Sequence, residues 1–257
     1  LDAQYTAFQY GPPMMEGLAS GQLDVIVTSF LPPLALSAKL PGSVKFIAQL
    51  GQSSHSLLIP KDSQEKQIID LKGRKIGVSF NSESHLDLLL LLKENGLDSK
   101  SDVELVNLQP GELPGAFEKK LVDAVVIRQP QTLRLQQSLG ARNIHKWPFL
   151  FTAIARSDYL AKNPQAIRHV IEALKDTVLH IANRPDETAV WFAEALRIDP
   201  SIIKNLNTEN PLYSAKTLSA VRIDIDDAFR EKLVERATTA TSYGLVKGKV
   251  DSATVLP

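Results

Sequence analysis

The chain has no cysteine. That excludes disulfides, thiolate metal ligands and a cysteine nucleophile, and it is compatible with an oxidising compartment without requiring one. Long apolar runs are missing too. The stretch Leu88 to Leu92 is far too short to cross a bilayer, which takes about 20 residues. Neither sign of charge prevails, since 29 Lys and Arg balance 29 Asp and Glu. Nothing therefore argues for nucleic acid or an anionic membrane surface as a partner. Catalytic and cofactor motifs are absent: there is no Gly-x-Ser-x-Gly elbow, P-loop, Gly-x-Gly-x-x-Gly or His-Glu-x-x-His, so no cofactor is expected. The five His are scattered, and His169 and His180 are too far apart on one helix to share a metal. Glu16 with Asp24, and Asp226 with Asp227, read as solvated charge rather than acid–base pairs. No constellation here asks for an enzyme.

What the chain does have is one module written twice. The first copy runs from Gly17 to Asp24 and continues into Val25-Ile26-Val27-Thr28-Ser29. The second runs from Ala116 to Asp123 and continues into Ala124-Val125-Val126-Ile127-Arg128-Gln129-Pro130. Each reads as a helix end, a break, an Asp, an apolar strand and a polar loop. A continuously apolar strand suits a parallel sheet covered by helices on both faces. Ligands of such sheets sit outside the carboxyl ends of the strands. Two modules predict two lobes, each offering a strand-end loop to a ligand. That is a binding architecture before it is a catalytic one.

At 257 residues, 44% of them hydrophobic and 23% charged, the chain can bury a core of ordinary globular type. Tyr5 to Tyr10 reads as strand-like and Pro12-Pro13-Met14 as a helix start. Strands are expected at Val44 to Gln49 and Ser56 to Pro60, with a short helix at Ile68 to Leu71 stopped by Gly73. Residues 75 to 144 alternate strand and helix three times, which predicts a compact α/β lobe. Leu150 to Ala155 reads as a strand returning to the first lobe. Beyond Asn163-Pro164 the pattern is helical, with helices expected at Ile167 to Ile181, Glu187 to Leu196, Pro200 to Leu206, Ala215 to Ile223 and Ile225 to Tyr243. Tyr159 and Trp191 read as core residues. The domain expectation is one lobe of residues 1–73 with 148–257 and a second of 74–147, with crossings near Gly73-Arg74 and His145 to Pro148. Leu1 does not read as a native start, and a segment upstream of it is expected.

These residues resemble a known family. Glu16-Gly-Leu-Ala-Ser-Gly-Gln-Leu-Asp24 is similar to a segment of solute-binding proteins, as are Leu58 to Ser63, Asp70-Leu-Lys-Gly-Arg-Lys-Ile-Gly-Val78 and Leu139-Gly-Ala-Arg142. Their order and spacing resemble the nitrate/sulfonate/taurine branch of ABC-importer solute-binding proteins, which is grouped with thiamine-pyrimidine binders. The resemblance implies a two-lobed type II periplasmic binding fold, here lacking its first strand and helix. It implies a small-molecule ligand held by two hinged lobes, a membrane permease as partner, a monomer, and a periplasmic or extracellular location with a lipoprotein anchor as one variant. The alternatives are an enzyme on the same fold, as in menaquinone or thiamine synthesis, and a ligand-sensing module.

Candidate ligand contacts follow from the strand ends. Thr28 and Ser29 offer hydroxyls after the first buried strand. Arg128 and Gln129 follow the matching strand, where an Arg can clamp an anion bidentately or pair with Asp123 or a surface Glu. Asn81 to His85 joins a strand to a helix, whose first N–H groups favour an anion. Ser82 and His85 line up with the Gly-Ser-Ser-Ala-His stretch of sulfonate binders, Asn81 replaces its Gly and Glu83 its second Ser. A carboxylate there competes with an anion for the same field. The structural reading of the loop makes Asn81 an N-cap, Ser84 a first-turn helper and His85 a packed helix residue. Gln52-Ser53-Ser54-His55 reads as hinge-side structure.

Overall fold

The computed structural model describes residues 2–248 and 250–256. Leu1, on which the expected upstream segment was argued, lies outside them. Residues 5–10 form no strand; Tyr5 is exposed, and no neighbour pairs with the segment. The elements are α1 (Gly11–Ser20), β1 (Val25–Thr28), α2 (Leu31–Lys39), β2 (Val44–Ile59), β3 (Lys75–Val78), α3 (Glu83–Glu94), β4 (Glu104–Asn107), α4 (Leu113–Glu118) and β5 (Ala124–Arg128). They continue with α5 (Gln131–Leu139), β6 (Arg142–Arg156), α6 (Ser157–Lys162), α7 (Pro164–Asn183), α8 (Pro185–Leu196), α9 (Pro200–Asn207), α10 (Asp227–Ser242) and α11 (Ser252–Val255). Six helices, α1, α2, α4, α7, α8 and α9, carry Pro in their first turn, where a missing N–H costs nothing.

The chain divides into two compact units, Leu1–Ser53 with Leu150–Pro257, and Ser54–Phe149. Both passages lie inside long strands, β2 of 16 residues and β6 of 15. The two strands expected at Val44 to Gln49 and Ser56 to Pro60 are thus one, and the polar string Gln52 to His55 is part of it. Gly51 lets β2 continue through a left-handed turn of backbone (φ 92°), packed against the Asn210 carboxamide. Residues 54–73, expected with the first lobe, belong to the second unit. Leu57, Ile59, Ile68 and Leu71 share one buried cluster with Ile76, Val78, Leu88 and Leu92.

In the first unit β1 pairs antiparallel with β6, from Val25 opposite Ala155 to Thr28 opposite Thr152. Helix α7 packs Ile167 and Val178 on Ala153 and Ala155, with Tyr159 partly buried beside them. Phe30, Phe46 and Phe229 form a second nucleus with ring centroids 5.1–5.9 Å apart. The helix expected over 215–223 is reduced to a 3₁₀ turn at Leu218–Ala220, because Val221 and Ile223 drop into the core as extended backbone. Trp191 is a correction as well: it is half exposed and stacks on His180 at 5.5 Å.

In the second unit the strand order is β2-β5-β3-β4. β3 lies parallel to β5 and β4, while β2 runs antiparallel to β5, so the sheet is mixed rather than purely parallel. Leu57, Ile76 and Val126 face α3, and Leu58, Val125 and Ile127 face Phe117 and Leu135 of α4 and α5. The Asp preceding the strand of each module is structural. Asp24 pairs with Arg156 at 2.9 Å, and the Asp123 carboxylate accepts from the Lys75 N–H at 2.8 Å.

Candidate functional site

The carboxyl ends of β3 and β5 and the start of α3 meet in the second unit, and there the polar residues gather. Beyond β3 the Ser79 hydroxyl donates to the Leu108 carbonyl (2.8 Å), and the Phe80 N–H donates to Asn107 Oδ1 (3.0 Å). Asn81 then takes a left-handed backbone (φ 59°), which Asn tolerates better than most residues. Ser82, not Asn81, is the N-cap: its hydroxyl accepts from the His85 N–H at 3.4 Å and donates to the Ser79 carbonyl at 2.6 Å. The extended backbone of Ser82 aims its hydroxyl at the helix end, whereas the left-handed turn at Asn81 does not.

His85 closes the loop from inside. Its ring stacks on Phe80 with centroids 4.4 Å apart, and Nδ1 accepts from the Asn81 N–H at 3.3 Å. Burial pushes its pKa down to about 4, so the ring is neutral at pH 7. Its packed role agrees with the structural reading of the loop.

Arg128 ends β5 directly opposite His55 of β2. Its guanidinium lies 4.7 Å over the Phe149 ring. Desolvation lowers its pKa, and the nearby carboxylates of Glu83 and Asp87 oppose that shift. Arg128 thus answers to these two acids and not to Asp123. His55 is fully buried, between Trp147 (5.1 Å) and Phe149 (5.5 Å), with Nε2 3.0 Å from the Asp87 carboxylate. His145 continues the row of rings, 4.5 Å from Trp147, and desolvation lowers its pKa. Gln129 donates its N–H to the Ser54 carbonyl (3.0 Å) and accepts from the Leu133 N–H through Oε1 (3.4 Å).

Thr28 and Ser29 lie in the first unit. The Thr28 carbonyl accepts from the Thr152 hydroxyl at 2.9 Å. Ser29 is fully buried, and its hydroxyl has no hydrogen-bond partner among the described residues. The second unit therefore brings together Asn81, Ser82, His85, Arg128 and Gln129, and it adds His55, Glu83 and Asp87. His55 stands in a polar string that reads as hinge-side structure, and Asp87 sits inside an apolar helix pattern. The signal that could have found Asp87 is its place one turn after Glu83, on the same face of α3. Among the described residues no group of three or more His, Asp or Glu could hold a metal, and no helix is long and apolar enough to cross a membrane.

A sequence model described as NMT1/THI5 like matches residues 13–188. A Brucella abortus protein carrying the name of a binding protein is 26% identical over 262 residues, covering 98% of this chain and 79% of its own. The taurine-binding periplasmic protein of Escherichia coli is 26% identical over 194 residues, covering 73% of this chain and 59% of its own. In fold, the alkanesulfonate-binding protein SsuA of Xanthomonas axonopodis pv. citri, solved with MOPS bound, superposes with a TM-score of 0.83 at 19% identity, over 97% of this chain and 86% of that one. The periplasmic binding protein fold is thereby shown. It is also the fold of the desulfurization enzyme DSZB, which matches with a TM-score of 0.62 at 17% identity over 90% of this chain and 82% of that one.

Proposed function

Because the chain belongs to the NMT1/THI5-like family, we propose that it is the solute-binding component of an ABC importer. It captures a small organic solute outside the cytoplasmic membrane and delivers it to a membrane permease, acting as a monomer and without turnover. The observation that carries this reading is the convergence of the Asn81 to His85 loop, Arg128 and the buried His55 at the strand ends of one unit. Polar groups anchored on rigid elements beside aromatic rings are what a small-molecule site needs. Ligand contact is assigned to Thr28, Ser29, Asn81, Ser82, His85, Arg128 and Gln129. Ser29 supports this with a buried hydroxyl that lacks a partner among the described residues. Ser82 and His85 also hold the loop, through the hydrogen bonds they make within it.

The test is a thermal-shift panel of taurine, alkanesulfonates, nitrate, aromatic carboxylates and aminopyrimidines. A true ligand at a hundredfold above its Kd stabilises the fold by about 2.7 kcal/mol. A hit that weakens in Arg128→Ala supports the reading. No response to any member, together with turnover of one of them, would replace it with an enzyme on the same fold.

A further inference from the structure

Helix α8 of the first unit keeps its large side chains off its buried face. That face is small, with Ala189 and Ala193 set against Ile203 of α9. Trp191 and Phe192 meanwhile stay 52% and 47% exposed. Single exposed apolar residues are ordinary on a surface, but two adjacent rings lining one cavity are not. That cavity, of about 370 Å³, lies between two helix faces. Asp176, Thr177 and His180 stand on its α7 wall, and Thr188, Trp191 and Phe192 on its α8 wall, each set at the spacing of one helical face. None of these residues is among those assigned to solute contact.

The polar groups of the walls give the sign of an occupant. The Thr177 and Thr188 hydroxyls already donate to the Ala173 and Arg184 carbonyls, at 2.7 and 2.9 Å, so they hold no proton for an anion. The cations next to the cavity in sequence are engaged elsewhere, Lys175 with Asp224 (3.7 Å) and Arg184 with Glu187 (3.1 Å). The Asp176 carboxylate, by contrast, makes no ion pair or hydrogen bond among the described residues. The His180 ring lies nearly parallel to the Trp191 indole (12°, centroids 5.5 Å apart) and backs one of its faces. Its Nε2 is buried with no hydrogen-bond partner among the described residues, which is unusual for a buried polar atom. An unpaired carboxylate beside exposed aromatic rings attracts an ammonium group, through its charge and through the ring quadrupole.

We propose that the cavity between α7 and α8 is a second ligand site that takes a small organic ammonium. Asp176 supplies the counter-charge, and Trp191 with Phe192 covers the apolar body of the ligand. The volume is at the lower end of small-molecule pockets, which suits one ring or a short chain on the nitrogen and not a folded partner. This goes beyond solute capture at the strand ends of the second unit, and it stands or falls independently of that reading.

The probes are phenethylamine, a cation at neutral pH, and 2-phenylethanol, which shares its shape and lacks its charge. Each is titrated calorimetrically into the intact chain, into Asp176→Asn and into Trp191→Leu. Both substituted residues are exposed, and thermal midpoints check that the variants fold. The intact chain should bind the amine about tenfold more tightly than the alcohol. Asp176→Asn should weaken the amine about threefold or more and leave the alcohol unmoved. Trp191→Leu should weaken both probes. In Trp147→Phe, Trp191 is the one tryptophan left in the chain, and its emission should shift saturably with the amine. Equal affinity for the two probes, amine binding untouched by both substitutions, or a Trp191 emission that stays silent overturns the ammonium site.

Discussion

At the scale of single residues, the loop heading α3 is held by side chains that sequence logic can equally give to a ligand. The Ser82 hydroxyl spends its donor on Ser79 and an acceptor on His85. Ser82→Ala should therefore cost about 1 kcal/mol of stability by chemical denaturation, as a lost N-cap does. His85 makes a pH prediction whose sign is definite. Its folded pKa is about 4 against an ordinary 6.5. Between those values the unfolded chain binds the extra proton, so its contribution is full above pH 6.5 and is lost as pH falls toward 4. The whole effect is on the order of 3 kcal/mol. Denaturant midpoints measured from pH 7 to 4.5 should fall more steeply for the wild type than for His85→Gln; parallel curves would show that His85 does not carry it.

Elements follow from local pattern where the pattern is complete. Alternation of strand and helix over residues 75–144 is legible because β3 and β5 hold short apolar runs between breaks, and α3 and α5 carry glycine stops. Gly96 and Gly140 take left-handed backbone at or beside the ends of α3 and α5, as helix-stopping glycines do. What local pattern misreads is β2. A polar string with a Gly looks like a loop, yet Ser54 and His55 are buried within the strand. The same is true of Trp191, whose helical spacing says core while the surface of α8 keeps it half exposed. Gly51 gives a test at this scale. A Cβ there would collide with the Asn210 carboxamide and would need a left-handed backbone that Ala resists. Gly51→Ala should lower stability by about 2 kcal/mol or more, read from the thermal midpoint. Leu88→Ala, in the buried face of α3, should cost about 2–5 kcal/mol, with the cavity term added to lost burial.

For the whole molecule, the proposed solute-binding reading with two hinged lobes predicts a shift of population on capture, because a ligand moves a conformational equilibrium only by its differential affinity for the states. A saturating solute found on the panel should reduce the radius of gyration in small-angle scattering. Curves that superimpose with and without that solute would remove the clamp mechanism while leaving binding itself intact.

Much of this protein is written in local sequence. Helix starts marked by Pro, helix stops marked by Gly, the two Asp-led strands and the absence of thiol, cofactor and catalytic motifs all follow from neighbours a few residues apart. Local periodicity suffices there because a helix or strand exposes the same face every three to four, or every two, residues. The candidate site is different. His55, Asp87, Arg128 and Phe149 stand on four elements, and none of their spacings in sequence is informative. Only the register that sets His55 opposite Arg128, and the packing of α3 across that sheet face, brings two acids, a guanidinium and an imidazole together. Long-range pairing is decided by which buried faces match, and buried charge is tolerated only where tertiary structure supplies its partner.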